Sequence, residues 1–395
     1  MTPAARTQAA IELLDRIVVA AREQGAAADT LIARYFAERR YAGSKDRRAV
    51  RSLVYDAIRL AGECPVSGRA AMLGLAQTRP ELIEHFGRGG YGPAAVEPGE
   101  PVAEPGVAPQ WLVAALEASG VDAGEQAALL TRAPLDIRVN PLRAKVDEVA
   151  AAFPDAQPID AAPMGLRLPT DSAVERSPLF AGGAFEVQDA GSQTVTLASA
   201  AGPGMNVLDV CAGGGGKTLC MAAMMANRGN IVAADTDRGR LSRLPARAER
   251  AGVTIAATRL LNPGKESEAL ADLKEQADVV LVDAPCSGTG TWRRNPEARW
   301  RLNQARLERF AQTQARLLDI GAEMVRPGGA LIHIVCSLLD AEGADQIDGF
   351  LDRHPDWSAE TLALPAGRTH AKGIRLTPAH DGTDGFFVAR LVRPC

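Results

Sequence analysis

Apolar residues recur along this chain in two rhythms. Ile11, Leu14, Val18 and Ala21, and later Val50, Leu53, Val54, Ala57 and Ile58, return every three or four positions. That is the spacing of one buried helical stripe. Another helical pattern runs from Trp111 to about Leu130, followed by a strand-like LDIRVN and a short helix in KVDEVAAAF. After Gln188, helical runs alternate with the short apolar segments NVLDV, NIVAAD, DVVLVD, GALIHIVC and FFVARLV. Strands alternating with helices predict an α/β fold with a mainly parallel sheet covered on both faces. Ligands of such sheets bind beyond the carboxyl ends of the strands, where Asp209, Asp235, Asp283 and Cys336 fall.

Composition divides the pattern. Between Gly87 and Pro109, 11 of 23 residues are Gly or Pro, which excludes a helix or a central strand and predicts a linker. The expected organisation is a helical domain over 1–86, a linker over 87–110, a helical connector with a small α/β subdomain over 111–185, and the sheet domain over 186–395. A chain of 395 residues accommodates two or three such domains.

Charge and cysteine content narrow the chemistry. The net charge of −4 does not advertise nucleic-acid binding, so any such contact must come from local arginine clusters. No apolar run reaches the ~20 residues that span a bilayer, and MTPAARTQAAIELLDR has no hydrophobic signal core. The cytoplasm is therefore the expected location, with no membrane contact. The six cysteines form no CxxC pair and the five histidines are scattered, so no metal site is expected.

The stretch VLDVCAGGGGKTLCMAA, residues 207–223, admits three readings. A P-loop requires a glycine where Cys211 stands, and a simple Gly-rich turn explains nothing that follows. The third is a βαβ cofactor site, in which Asp235, 26 residues after Asp209, accepts hydrogen bonds from ribose hydroxyls. S-adenosylmethionine, an adenosine without a pyrophosphate, suits a glycine loop that lacks the dinucleotide pattern.

QDAGSQ, VCAGGGGKT, DAPCSGTG, the Cys-Ser-Leu of IHIVCSLLDAEG and DGFFVARL occur in that order over the last 205 or so residues. Together they resemble the Sun/Fmu-type (NOL/NOP/Sun) RNA cytosine-5 methyltransferases. IRVNPLR is similar to the opening strand of that family's RNA-binding subdomain. GSKDRRAVRSLVYDAIR resembles the NusB-like domain of its bacterial 16S ribosomal RNA members, here shortened. The resemblance implies a Rossmann-like S-adenosylmethionine-dependent core, a small α/β RNA-binding subdomain and an all-helical N-terminal domain. It also implies methylation of carbon 5 of a cytosine in RNA, with ribosomal RNA as partner. Transfer RNA methylation by the same chemistry and a non-catalytic assembly factor are the alternatives. A monomer is expected, and no protein partner is predictable.

Carbon 5 of cytosine is a poor nucleophile until a thiolate adds at carbon 6. Residue chemistry alone does not rank Cys286 and Cys336. The resemblance implies Cys336 as nucleophile and Cys286 as an aid to release. Asp283, expected as a carboxyl group of raised pKa in a dry pocket, would partner the base, and Lys217 would favour a thiolate. For the cofactor the resemblance carries over Cys211, Ala212, Gly213, Gly214, Gly215, Gly216 and Lys217, with Asp235, Arg240, Asn262 and Asp283. Gly213-Gly214 replaces the usual Ala-Pro, which predicts a looser loop; Val335 replaces Thr and Arg247 a frequent Asn. For RNA, TWRRNPEARWRLNQARLERF supplies Trp292, Arg293, Arg294 and Arg299 directly after the catalytic loop. Arg39, Arg40, Arg47, Arg48 and Arg51 form a second basic cluster.

Overall fold

Both N-terminal apolar stripes are helical and buried. The computed structural model describes residues 1–395, which divide into two compact units, Met1–Thr131 with Thr291–Asn303 and Arg132–Gly290 with Gln304–Cys395. The first unit holds α1 (Pro3–Arg22), α2 (Ala28–Glu38), α3 (Ser44–Leu60) and α4 (Gly68–Thr78). The Thr2 hydroxyl caps α1 by accepting the Ala5 N–H, and Pro3 starts the helix where a missing N–H costs nothing. Ile11, Leu14, Val50, Val54 and Ile58 meet in one core. The pattern from Trp111 gives two helices, Gln110–Ala118 and Ala123–Ala128, because Gly120 at φ +76° ends the first.

The Pro/Gly stretch contains no helix, as its composition requires, but it is not a tether. The Ala103 N–H donates to Ala70 O at 3.0 Å, the Gly106 N–H donates to Leu60 O at 2.9 Å, and Arg69 pairs with Glu100 at 2.5 Å. Residues 87–110 thus fold back along α3 and α4, and the division between units lies at Thr131 rather than at the expected linker.

The arginine-rich segment also departs from expectation. Arg299 is fully buried, donating to the carbonyls of Ile58 at 2.6 Å, Ala61 at 2.8 Å and Pro296 at 2.5 Å. It satisfies carbonyls that the end of α3 leaves without intrahelical partners. Burial draws its pKa down to about 9. Trp300 lies in the same core, and its indole N–H reaches Gly62 O at 3.2 Å. Trp292 and Arg293 are buried as well, while Arg294 is half-buried. Arg299 and Trp292 therefore do not offer the RNA contacts expected of them. Arginine beside tryptophan reads alike in a buried cap and on a nucleic-acid face.

The second unit contains two sheets. β1 (Leu135–Val139), β2 (Gln157–Ile159), β3 (Ala162–Leu168) and β4 (Phe185–Val187) form an antiparallel sheet in the order β2-β3-β1-β4. The larger sheet comprises β5 (Asn206–Asp209), β6 (Asn230–Asp235), β7 (Ala256–Leu260), β8 (Ala277–Asp283), β9 (Val325–Val335), β10 (Ser358–Glu360), β11 (Arg368–His370), β12 (Gly373–Leu376) and β13 (Phe386–Val392). Its order is β11-β12-β13-β9-β8-β5-β6-β7, with β10 beside β13. β5 to β9 pair in parallel, whereas β13 runs antiparallel to β9. Alternate side chains sort to the two faces. Val207, Val279, Leu281 and Ile332 pack with the helix Gly216–Met224, and Leu208, Val280, Val282 and Leu331 pack with Gln304–Met324. The chain leaves β5 outward through β6 and β7, then crosses back to β8 on the other side. The crevice between the carboxyl ends of β5 and β8 is thus a topological switch point.

Candidate active site

The glycine loop rises from that switch point. After Asp209 the chain turns through Cys211–Gly215 into the helix Gly216–Met224, with Gly213 at φ +56° and Gly215 at φ +86°. A Cβ on Gly215 would strike Leu244, and one on Gly213 would strike the Arg240 guanidinium. The Asp235 carboxylate accepts the Gly213 N–H and the Asp237 N–H, each at 2.7 Å. Each of its oxygens keeps a lone pair for a hydroxyl. Asn262 is exposed two residues beyond β7.

The loop is less loose than its glycines suggest. Arg247 Nη1 donates to Gly214 O at 2.5 Å, and Arg247 Nη2 donates to Glu186 Oε2 on β4 at 2.7 Å. The other Glu186 oxygen pairs with Arg250. The departure at Arg247 therefore braces the departure at Gly214.

Three carboxyl groups surround this cradle. Asp209 accepts the Thr218 hydroxyl at 2.7 Å, while its other oxygen is buried without a partner. Burial pushes its pKa up to about 7; the Thr218 hydrogen bond opposes this and the Asp283 charge adds to it. Such surroundings disfavour a polyphosphate and favour a cationic ligand, and the cradle, the Asp235 lone pairs and the orphaned Asp209 oxygen fit S-adenosylmethionine.

Two thiols close the site. Cys286 follows β8 and Cys336 follows β9, and their sulfurs are 3.5 Å apart. Lys217 Nζ donates to Asp283 Oδ2 at 2.7 Å and lies 5.6 Å from the centre of the Phe386 ring. Burial alone would lower the Lys217 pKa, but Asp283 and the Cys336 sulfur raise it overall. The Cys286 pKa rises well above that of an ordinary thiol, first because its hydrogen bond with Cys336 holds the proton, then because of burial. Asp283, expected as a lone carboxyl group in a dry pocket, is instead ion-paired and 30% exposed.

Residues 196–392 match the family model for 16S rRNA methyltransferase RsmB/F. The probable ribosomal RNA small subunit methyltransferase B of Synechocystis sp. is 37% identical over 270 residues, covering 65% of this chain and 59% of that protein. The ribosomal RNA small subunit methyltransferase B of Xylella fastidiosa is 35% identical over 304 residues, covering 72% and 67%. The chain belongs to the RsmB/F family. A methyltransferase homolog of Pyrococcus horikoshii has a similar fold, at TM-score 0.61 and 27% identity over 68% of this chain and 90% of that one. The sheet is the Rossmann-like core of S-adenosylmethionine-dependent methyltransferases. No helix is long and apolar enough to cross a membrane.

In this RsmB/F member a buried polar network also ties the two thiol loops together. Glu342 accepts the Ser287 N–H at 2.8 Å, the Ser287 hydroxyl, and Gln314 Nε2 at 3.2 Å. Ser287 Oγ lies 3.2 Å from Ser337 Oγ, and Thr289 Oγ1 accepts the Leu338 N–H at 2.9 Å. Sequence reasoning missed Glu342 and Gln314. The signal available was the serine that follows each cysteine.

Proposed function

We propose that this chain methylates carbon 5 of a cytosine in RNA, with 16S ribosomal RNA as substrate, through a covalent bond between Cys336 and carbon 6. The observation that carries the reading is the thiol pair at the carboxyl ends of β8 and β9, with the Lys217–Asp283 ion pair beside it. S-adenosylmethionine, held by the backbone from Cys211 to Lys217 with Asp235, Arg240 and Asn262 around it, would supply an electrophilic methyl group.

The chain's own residues do the rest. The contact with Cys336 and burial raise the Cys286 pKa, which leaves Cys286 as the thiol of the pair, and Cys336 as the sulfur beside which the Lys217 ammonium favours a thiolate. The thiolate forms a bond to carbon 6, and the ring electrons shift towards carbon 5, which becomes nucleophilic. Asp283 accepts from the exocyclic amino group and orients the base. Cys286 takes the carbon 5 proton as it passes its own proton to the departing Cys336 sulfur, so the double bond is restored and Cys336 leaves as a thiol. The target cytosine must leave its stack to reach the sulfur.

RNA containing 5-azacytosine tests this reading. A covalent adduct should form with the wild type and vanish in Cys336→Ala. An adduct that persists there and disappears in Cys286→Ala reverses the roles, and no adduct in any form leaves a non-catalytic RNA-binding factor.

A further inference from the structure

Two loops that leave different strands must bring their sulfurs together, and β8 and β9 alone do not do this. Their register fixes the Ala284 N–H on Ile334 O at 2.9 Å, but the cysteines lie two residues further along each loop. Beyond that point one backbone bond, from the Gly290 N–H to Cys336 O at 3.0 Å, and a set of side-chain hydrogen bonds join the loops. Glu342 is fully buried and grips Ser287, the residue after Cys286, by both its N–H and its hydroxyl. Ser287 Oγ in turn meets Ser337 Oγ, next to Cys336, at 3.2 Å. Gln314 Nε2 donates to Pro285 O at 3.0 Å, just before Cys286, and to Glu342. From the other side, His333 Nε2 lies 2.9 Å from Glu342 O, which fixes the backbone of Glu342 to β9.

We propose that Glu342 is the positioning residue of the thiol pair, holding the Cys286 and Cys336 loops in the register that brings their sulfurs within 3.5 Å. It touches neither base nor cofactor. It acts through Ser287 and Ser337, and a carboxyl group suits the place because three donors converge on its two oxygens. Burial raises its pKa and those donors oppose the rise. The inference rests on the two-thiol reading above, but its geometric content stands without RNA.

The test is therefore chemical proximity. An azodicarboxamide oxidant takes two electrons and two protons from the thiols, joining Cys286 and Cys336 as a disulfide while the oxidant becomes the hydrazine. The full-length protein should cross-link readily at fixed pH, and Glu342→Ala should do so about tenfold more slowly, because proximity is lost. Glu342→Gln, which still accepts the Ser287 N–H and can donate to its hydroxyl, should restore most of the rate. S-adenosylmethionine affinity should stay within about twofold and turnover should fall about a hundredfold. Ser287→Ala severs the hydroxyl link and should slow cross-linking about threefold; it carries the test if Glu342→Ala does not fold. Cross-linking at the wild-type rate in these variants, or a parallel loss of cofactor binding, overturns the proposal. Slowed cross-linking together with failure of 5-azacytosine trapping would sink the proposed function alone.

Discussion

Cys286 Sγ stands 3.5 Å from Cys336 Sγ across fifty residues of sequence. A disulfide would need about 2.05 Å, so this is a pair of free thiols sharing a hydrogen bond. Their unequal surroundings predict unequal mutants on RNA with natural cytosine. Cys336→Ala should form no covalent species. Cys286→Ala should form the carbon 6 bond, stall, and accumulate protein-linked RNA on a denaturing gel. Turnover should fall at least about a thousandfold in both. Multiple turnovers by Cys286→Ala would remove its role in release.

Lys217 should support the Cys336 thiolate. With its pKa raised, its ammonium stays charged from acid pH through the ordinary lysine range. Alkylation of Cys336 by iodoacetamide at neutral pH should slow about tenfold in Lys217→Met, read by peptide mass spectrometry. An unchanged rate would leave Lys217 only its ion pair with Asp283.

Arg247 should act on the cofactor loop. In Arg247→Leu the Gly214 carbonyl loses its donor and Glu186 loses one of its two arginines. Calorimetry should show S-adenosylmethionine affinity weakened about tenfold, or about 1.4 kcal/mol. A comparable drop in turnover at saturating cofactor would instead tie Arg247 to the chemical step.

His333 makes stability depend on pH. Burial lowers its pKa to about 4, against 6.5 for the free side chain. Between those values the unfolded chain binds a proton that the folded one does not, so stability falls as pH drops through that window. Asp209 works in the opposite sense, because its raised pKa removes stability as pH rises from the ordinary carboxyl range towards 7. The comparison is therefore between wild type and His333→Gln by chemical denaturation. The difference between the two curves should grow to about 3 kcal/mol between pH 6.5 and pH 4. Parallel curves would refute it.

Arg299 and the exposed basic cluster should separate cleanly. Arg299→Ala strands the carbonyls at the end of α3 and should cost about 3 kcal/mol of stability in a thermal melt. Arg48→Ala, on an exposed stretch of α3, should leave the melt unchanged and reduce the salt slope of RNA binding by about one. A shallower salt slope in Arg299→Ala, with no loss of stability, would return that residue to the RNA surface.

The strand ends were the readable part of the chain. β5, β6 and β8 are apolar runs that stop at Asp209, Asp235 and Asp283, β9 stops just before Cys336, and a parallel sheet puts all four ends on one edge. β7 escaped notice because AATRL is short, partly polar and only half-buried. The Pro/Gly stretch, read as a linker, holds backbone hydrogen bonds to Ala70 and Leu60, because composition says nothing about the partners a backbone finds. The Glu342 network was invisible because its members become neighbours only after β8 and β9 pair. The segment from Trp292 to Arg301 misled because guanidinium groups bind carbonyl oxygens and phosphate oxygens by the same fork of donors.

That segment has a consequence for synthesis. The first 131 residues emerge with Ile58 and Ala61 awaiting a guanidinium that lies more than 230 positions downstream. The amino-terminal helices therefore lack these hydrogen bonds until Arg299 has been made, after β5 through β8. A protein truncated after Thr131 should accordingly be less stable than the same helices within the full chain, even though nothing in its own sequence has changed.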